Sequence, residues 1–318
     1  MKLSEPSCIK ICLSGCAVLV SQLAVLPAAS AADNNDTPDT FSIGIGQRKD
    51  NLNWNIAGGA VNILSELKYE NIAITQLQAA GEFNFESGQQ LRVNLDYGVI
   101  DSGTNQDSDY NGNNRTQEYS RSINQTGGNV LDASVGFGEK LRLIEMDAGG
   151  GLYVTPLVGL SLHQQNLTMT NGVQTLSQPP RALGPMPGLS SSYDAQWTGP
   201  WLGTEALIET AAGWTMMADA EYHWVAYTAE ANWNLRSDLA HPVSFRQTTT
   251  GTGIVMSLGA SYPFAKNWKM NFTLERQQWT AHAGSDLIYF ADGTVGSARL
   301  NAVNWDSTAY NFGIVHYF

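Results

Sequence analysis

No stretch of this sequence carries a helical period. Its patterned stretches alternate at period two, which marks extended strands with two unlike faces. The clearest is "YNFGIVHYF", Tyr310 to Phe318. Tyr310, Phe312, Ile314 and Phe318 share one face, interrupted by His316, while Asn311, Gly313, Val315 and Tyr317 share the other. Such a segment suits the last strand of either a soluble sandwich or a closed barrel. In a barrel, "TMMADAEYHWVAYTAEANWNLR", Thr215 to Arg236, at about twice the roughly 9–11 residues that a tilted membrane strand needs, would project well above the outer surface.

Composition points the same way. Only 14% of residues are charged, against 31 Gly, 12 Tyr and 9 Trp, whereas about a quarter of an ordinary soluble domain is charged. A mean hydropathy of −0.19 is too low for a helical membrane protein. A transmembrane β-barrel reconciles the two, because only alternate residues face lipid and a sheet in lipid must close on itself.

The expected architecture is therefore all-β: a closed antiparallel barrel of about ten strands with tall extracellular walls and both termini periplasmic. Extended segments fall at about 40–56, 63–85, 91–103, 128–143, 151–170, 197–210, 214–236, 252–264, 268–290 and 305–318. Short turns ("ESGQQ", "IEMDAGG", "AAG", "AKN") alternate with long polar loops, the longest being "TNQDSDYNGNNRTQEYSRSINQTG" and "NGVQTLSQPPRALGPMPGLSSSYDAQ". Trp197, Trp201, Trp214, Trp268, Trp279 and Trp305 lie near strand ends, where interfacial girdles are expected.

The other end of the chain gives the compartment. Lys2 and Lys10, the apolar "CLSGCAVLVSQLAVLP" and the small-residue "AASA" form a secretory signal over residues 1–31. A barrel over 32–318, routed to a bacterial outer membrane, follows. All three cysteines, Cys8, Cys12 and Cys16, fall in the signal, so the mature chain has no disulfide, thiolate metal site or cysteine nucleophile. Loss of Lys2, Glu5 and Lys10 takes the net charge from −12 to −13, which argues against nucleic acid as a partner. No cofactor is implied.

Ten strands, tall walls and five outer connections resemble the omptin family of outer-membrane proteases and the related Opc-type adhesin barrels. The element order carries the resemblance, from "FSIGIGQR" through "WTGPWLGTEA" to "STAYNFGIVHYF". A terminal Phe318 after alternating apolar residues also resembles the signal read by the barrel assembly machinery. The omptin resemblance implies two facing pairs, Asp-x-Asp and Asp-x-His, that activate a water for peptide cleavage near basic residues. "QDSDY" supplies Asp107 and Asp109, two apart and so on one side of an extended chain, where two carboxylates can share a proton or order a water. A solvated loop or an adventitious Ca²⁺ contact explains the same residues. In "RSDLAHP" the second pair is Asp238 and His241, three apart rather than two. Odd spacing sends extended side chains to opposite faces, unless a turn before Pro242 reunites them. The ungapped position falls at "NWN", Asn232 to Asn234, which has no acid or base.

No G-x-S-x-G, H-E-x-x-H or P-loop is present. His163, His223 and His282 sit within strands and read as lumen or wall residues rather than metal ligands. Acidic residues (Asp101, Asp107, Asp109, Glu118, Asp194, Glu230, Asp238) gather towards the outer loops and would attract cationic peptides or divalent ions. Three classes of function stay open: a non-catalytic surface barrel that binds host surface molecules or cationic peptides, or leaks through a narrow pore; an omptin-like Asp/His endopeptidase; and structural packing against outer-membrane lipid and lipopolysaccharide. A ten-stranded lumen is narrow, since about eight strands leave room only for side chains, so binding ranks above permeation.

Overall fold

A computed structural model describes residues 38–86, 88–146, 150–178 and 182–318. The proposed signal, with its three cysteines, lies outside the described residues. Thirteen strands form one sheet: β1 (Thr40–Gly58), β2 (Val61–Asn84), β3 (Gln89–Tyr110), β4 (Glu118–Glu139), β5 (Leu141–Glu145), β6 (Gly151–Ser177), β7 (Gly184–Pro185), β8 (Ser190–Glu209), β9 (Thr215–Asn232), β10 (Phe245–Ala265), β11 (Trp268–Ala281), β12 (Gly284–Tyr289) and β13 (Val295–Tyr317). All pairings are antiparallel, and β1 pairs with β13 from Thr40↔Tyr317 to Ala57↔Arg299, which closes the ring and removes its edges. The ring has ten staves. β5 continues the line of β4 along β6, and β12 pairs with β10 and β13 above the point where β11 stops.

The first and last described residues and the short turns share one end, periplasmic in barrels of this kind. There β10 turns into β11 through Lys266 and Asn267, the latter at φ 63. At the other end β1 and β2 are joined by a two-residue turn whose Gly59 sits at φ 59, a conformation open to a residue without Cβ. The expected ten strands are all present, but the long loops are mostly wall. Of the expected loop after residue 103, β3 and β4 take all but the tip at 111–117. Asn and Ser pair readily in a ladder that stands clear of lipid, so polar composition there indicated solvent rather than loop.

Along β1 the two faces exchange character. Phe41, Ile43 and Ile45 point outwards and are exposed, Ile45 to 59%, over Ser42, Gly44 and Gly46 inside. Beyond Gln47 the outward residues are Lys49, Asn51, Asn53 and Asn55, and the inward ones become Leu52, Trp54 and Ile56, all buried. β13 repeats the switch: Phe312 (61% exposed) and Ile314 lie outside, while Trp305, Val303 and Leu300 are buried further along. Below the switch the barrel is apolar outside and polar inside, as a lipid-spanning band requires. Above it, the barrel is packed like a soluble protein.

This inversion corrects the girdle reading. Trp214 and Trp268 are exposed near the turn end, as expected of girdle residues, and Tyr222, Trp224 and Tyr310 are exposed at the upper limit of the apolar band. Trp197, Trp201, Trp279 and Trp305 instead point inwards and are fully buried. Trp279 and Trp305 stack at 5.4 Å with their planes 13° apart, and Trp197 lies 5.9 and 6.1 Å from them. The walls make room for these rings with glycine: a Cβ on Gly253 would come within 2.1 Å of Trp279, and one on Gly159 within 2.4 Å of Trp201.

Candidate functional site

Three levels of the lumen carry chemistry. The lowest, inside the apolar band, is a network of buried charge. Arg92 on β3 donates to Asp219 (2.8 Å) and to Glu221 on β9, with Glu205 on β8 at 3.6 Å and the Trp201 ring at 5.4 Å. Arg48 donates to both oxygens of Asp50 (2.8 and 2.7 Å) and to Asp132 (2.5 Å). The Nδ1 of His163 lies 3.0 Å from Asp132, and that of His223 lies 3.0 Å from Ser161 Oγ, while His223 Nε2 lies 3.0 Å from Glu221. These ion pairs tie strands across the lumen, β3 to β8 and β9 and β1 to β4, and a partner left alone there is costly. Below them a cavity of about 260 Å³, lined by Gln78, Glu82, Asp96, Lys140, Glu209 and Tyr317 among others, opens towards the turn end.

The middle level is the aromatic layer of Trp197, Trp279 and Trp305. Their indole N–H groups donate to Gln165 (3.1 Å), Gln277 (3.0 Å) and Asp50 (3.0 Å). Above it Tyr227 donates to Tyr193 (2.5 Å), which donates to Gln247 (2.7 Å), and Tyr193 stacks on Trp54 at 5.6 Å. Together these rings fill the cross-section between the charged lumen and the outer mouth.

The upper level is an outer cavity of about 560 Å³, walled by Trp54, Leu67, Trp233, Leu239, Phe245 and Ile288 and bearing Asp107, Asp109, Asp286 and Arg236. Asp107 and Asp109 are on the inner face of β3, facing Leu67 and Ser65 on β2 and Ser122 and Ser120 on β4. They share the cavity with Arg236. Asp238 and His241 are not among its lining residues. Both oxygens of Asp238 accept from Arg236, at 2.8 and 2.7 Å, and His241 Nδ1 lies 2.7 Å from Asn232 Oδ1, with the His241–Pro242 peptide cis. The hydrogen bond to Asp238 above all, and beyond it the field of Asp238, Asp109 and Asp107, keeps the Arg236 guanidinium charged. Arg236, bonded to Asp238, thus shares the cavity with Asp107 and Asp109, while His241 is held by Asn232.

Asp286 escaped the sequence reading altogether. It lies on β12, opposite Gln247 and Ala298, and is 2% exposed. Burial pushes its carboxyl up to about 7. Its only sequence signal was alternation with Ile288 in a segment read as one uninterrupted strand. The lumenal cluster was more legible: Asp219, Glu221 and His223 recur at period two and so share the inner face of β9.

A model of the Protochlamydia outer membrane protein family matches residues 42–318. The chain belongs to that family. Its β-barrel is thus an outer-membrane barrel, as the sequence implied. Among curated proteins none matches the sequence. Of solved structures, the outer membrane protease OmpT from Escherichia coli is similar with a TM-score of 0.68 at 12% identity, over 91% of this chain and 99% of that one. At that identity the likeness is one of fold. The translocator domain of the autotransporter NalP from Neisseria meningitidis matches with a TM-score of 0.38 at 12% identity, over 96% and 95% of the two chains. OprG from Pseudomonas aeruginosa matches with 0.31 at 10%, over 88% and 96%.

Proposed function

We propose that this family member is a non-catalytic surface barrel that acts through its outer cavity, in the manner of a receptor or adhesin. The observation carrying this reading is the aromatic layer: an outer cavity walled by apolar side chains, Trp54 among them, lies above Tyr193 stacked on that ring and, deeper, the fully buried Trp197, Trp279 and Trp305. A concave site with apolar walls and a few polar groups is a binding site by its physical character. A filled cross-section beneath it opposes passage of solutes.

The omptin-like endopeptidase is the weaker alternative. Acid–base activation of a water needs a base within hydrogen-bond reach of it, and Arg236 takes the carboxylate of Asp238 while Asn232 takes His241. A narrow gated pore is favoured by one observation, the ion pairs of the lumen: Arg92 has three acidic neighbours and Arg48 two, so each can change partners while staying paired. Refolded protein assayed in parallel for cleavage of a dibasic fluorogenic peptide and for conductance in a planar bilayer separates the three. The binding reading expects neither activity; cleavage supports the protease and steady current supports the pore.

A further inference from the structure

We infer that the outer cavity seats an organic cation, an ammonium or guanidinium on an apolar stem, with the Asp286 carboxylate as its counter-charge. The inference rests on the reading of the mouth as a binding surface and names what it binds.

Asp286 is a cavity-lining carboxylate with 2% exposure, and its Oδ1 has no hydrogen-bond partner among the described residues. Its strand neighbours carry no charge: Gln247 on β10 gives its carbonyl to Tyr193, its own Nε2 is likewise without a partner, and Ala298 faces it from β13. The other ionisable groups near this space are Tyr193 on β8 and Tyr227 on β9, which feel the Asp286 charge, and the cavity residues Asp107, Asp109, Tyr119 and Arg236. Among the described residues of the lining Arg236 is the one cation, and it is engaged by Asp238. The described lining thus carries three carboxylates and one guanidinium.

A buried carboxylate without compensation is costly, and natural structures pair it or neutralise it. Here it is set in a cavity open to solvent, so a cation can reach it. Two further lining groups, Trp54 Nε1 and Asn124 Oδ1, are buried without partners, one a donor and one an acceptor. The walls decide the kind of cation. A hydrated metal ion would gain nothing from Trp54, Leu67, Phe245 and Ile288, whereas an alkyl or aryl stem is desolvated against them, and a ring face beside an ammonium adds attraction.

The probe is dansylcadaverine, a fluorescent primary amine on a five-carbon stem, titrated into the refolded, heat-modifiable full barrel at pH 8 and followed by anisotropy. Its N-acetylated form is the uncharged control. Saturable binding of the amine, weakened at least tenfold by Asp286→Asn and unchanged by Glu145→Gln on the exposed turn-end strand β5, is the expected result. Wild type needs no variant for a second check: because the Asp286 carboxyl sits near 7, affinity should fall from pH 8 to pH 6, where the amine stays charged and the carboxylate does not. Equal affinity for wild type and Asp286→Asn overturns the inference, as does equal binding of the acetylated dye or none by wild type. Conductance is the separate failure of the underlying reading.

Discussion

Arg236 occupies both carboxylate oxygens of Asp238, and His241 turns away from that pair towards Asn232. Peptide cleavage would need Asp107, Asp109, Asp238 and His241 to converge on one water. With Asp238 held by Arg236 and His241 by Asn232, wild type is expected to leave a dibasic fluorogenic peptide intact. Asp107→Ala and His241→Ala should match it at the buffer rate. Cleavage by wild type that either substitution removes would reinstate the protease.

Asp286 gives stability a defined pH dependence. Its folded value of about 7 lies above the ordinary 3.8. The folded state thus holds the proton more tightly, and the stabilisation is full below about pH 3.8 and lost as pH rises through 7. A three-unit displacement corresponds to roughly 4 kcal/mol. The temperature of the heat-modifiable gel transition should therefore fall more between pH 4 and 8 for wild type than for Asp286→Asn. Parallel curves for the two would remove Asp286 from the account.

Arg92 and Arg246 both form ion pairs, with unequal expected consequences. Arg92 is buried among Asp219, Glu221 and Glu205, so Arg92→Leu leaves three buried acids without their cation and should cost about 3–5 kcal/mol in urea unfolding. The Arg246–Glu230 pair is exposed on both sides, and Arg246→Leu should cost less, under about 1 kcal/mol. Similar losses would mean that the lumenal network does not hold the barrel.

Phe318 is exposed, and its backbone N–H donates to the carbonyl of Asp39 at 3.0 Å beside the β1–β13 seam. A role in recognition by the assembly machinery predicts that deleting Phe318 lowers surface levels far more than deleting Gly293 from the β12–β13 turn. Surface biotinylation measures both, and equal levels would count against that role.

Strand number and closure were legible because alternation survives in every stave. Strand ends were less so, since the polar walls above the membrane obey no apolar-outside rule: Asn105, Asp107, Ser122 and Asn124 look like loop residues until their pairing in β3 and β4 is seen. The same inversion misdirected four tryptophans, because an inward ring at the top of a strand and an outward one at the interface occupy the same stretch of sequence. Asp107 and Asp109 were found by spacing. Asp286 was not, because its environment is set by β10 and β13, and a sequence shows neither neighbour.

The central claim is that the aromatic layer closes the barrel beneath a solvent-open outer cavity. Planar-bilayer recording of the refolded wild-type protein tests it most directly: a flat trace under applied voltage, with current steps emerging only when Trp279 and Trp305 are both replaced by alanine, is the predicted result, and steady steps from wild type would contradict it.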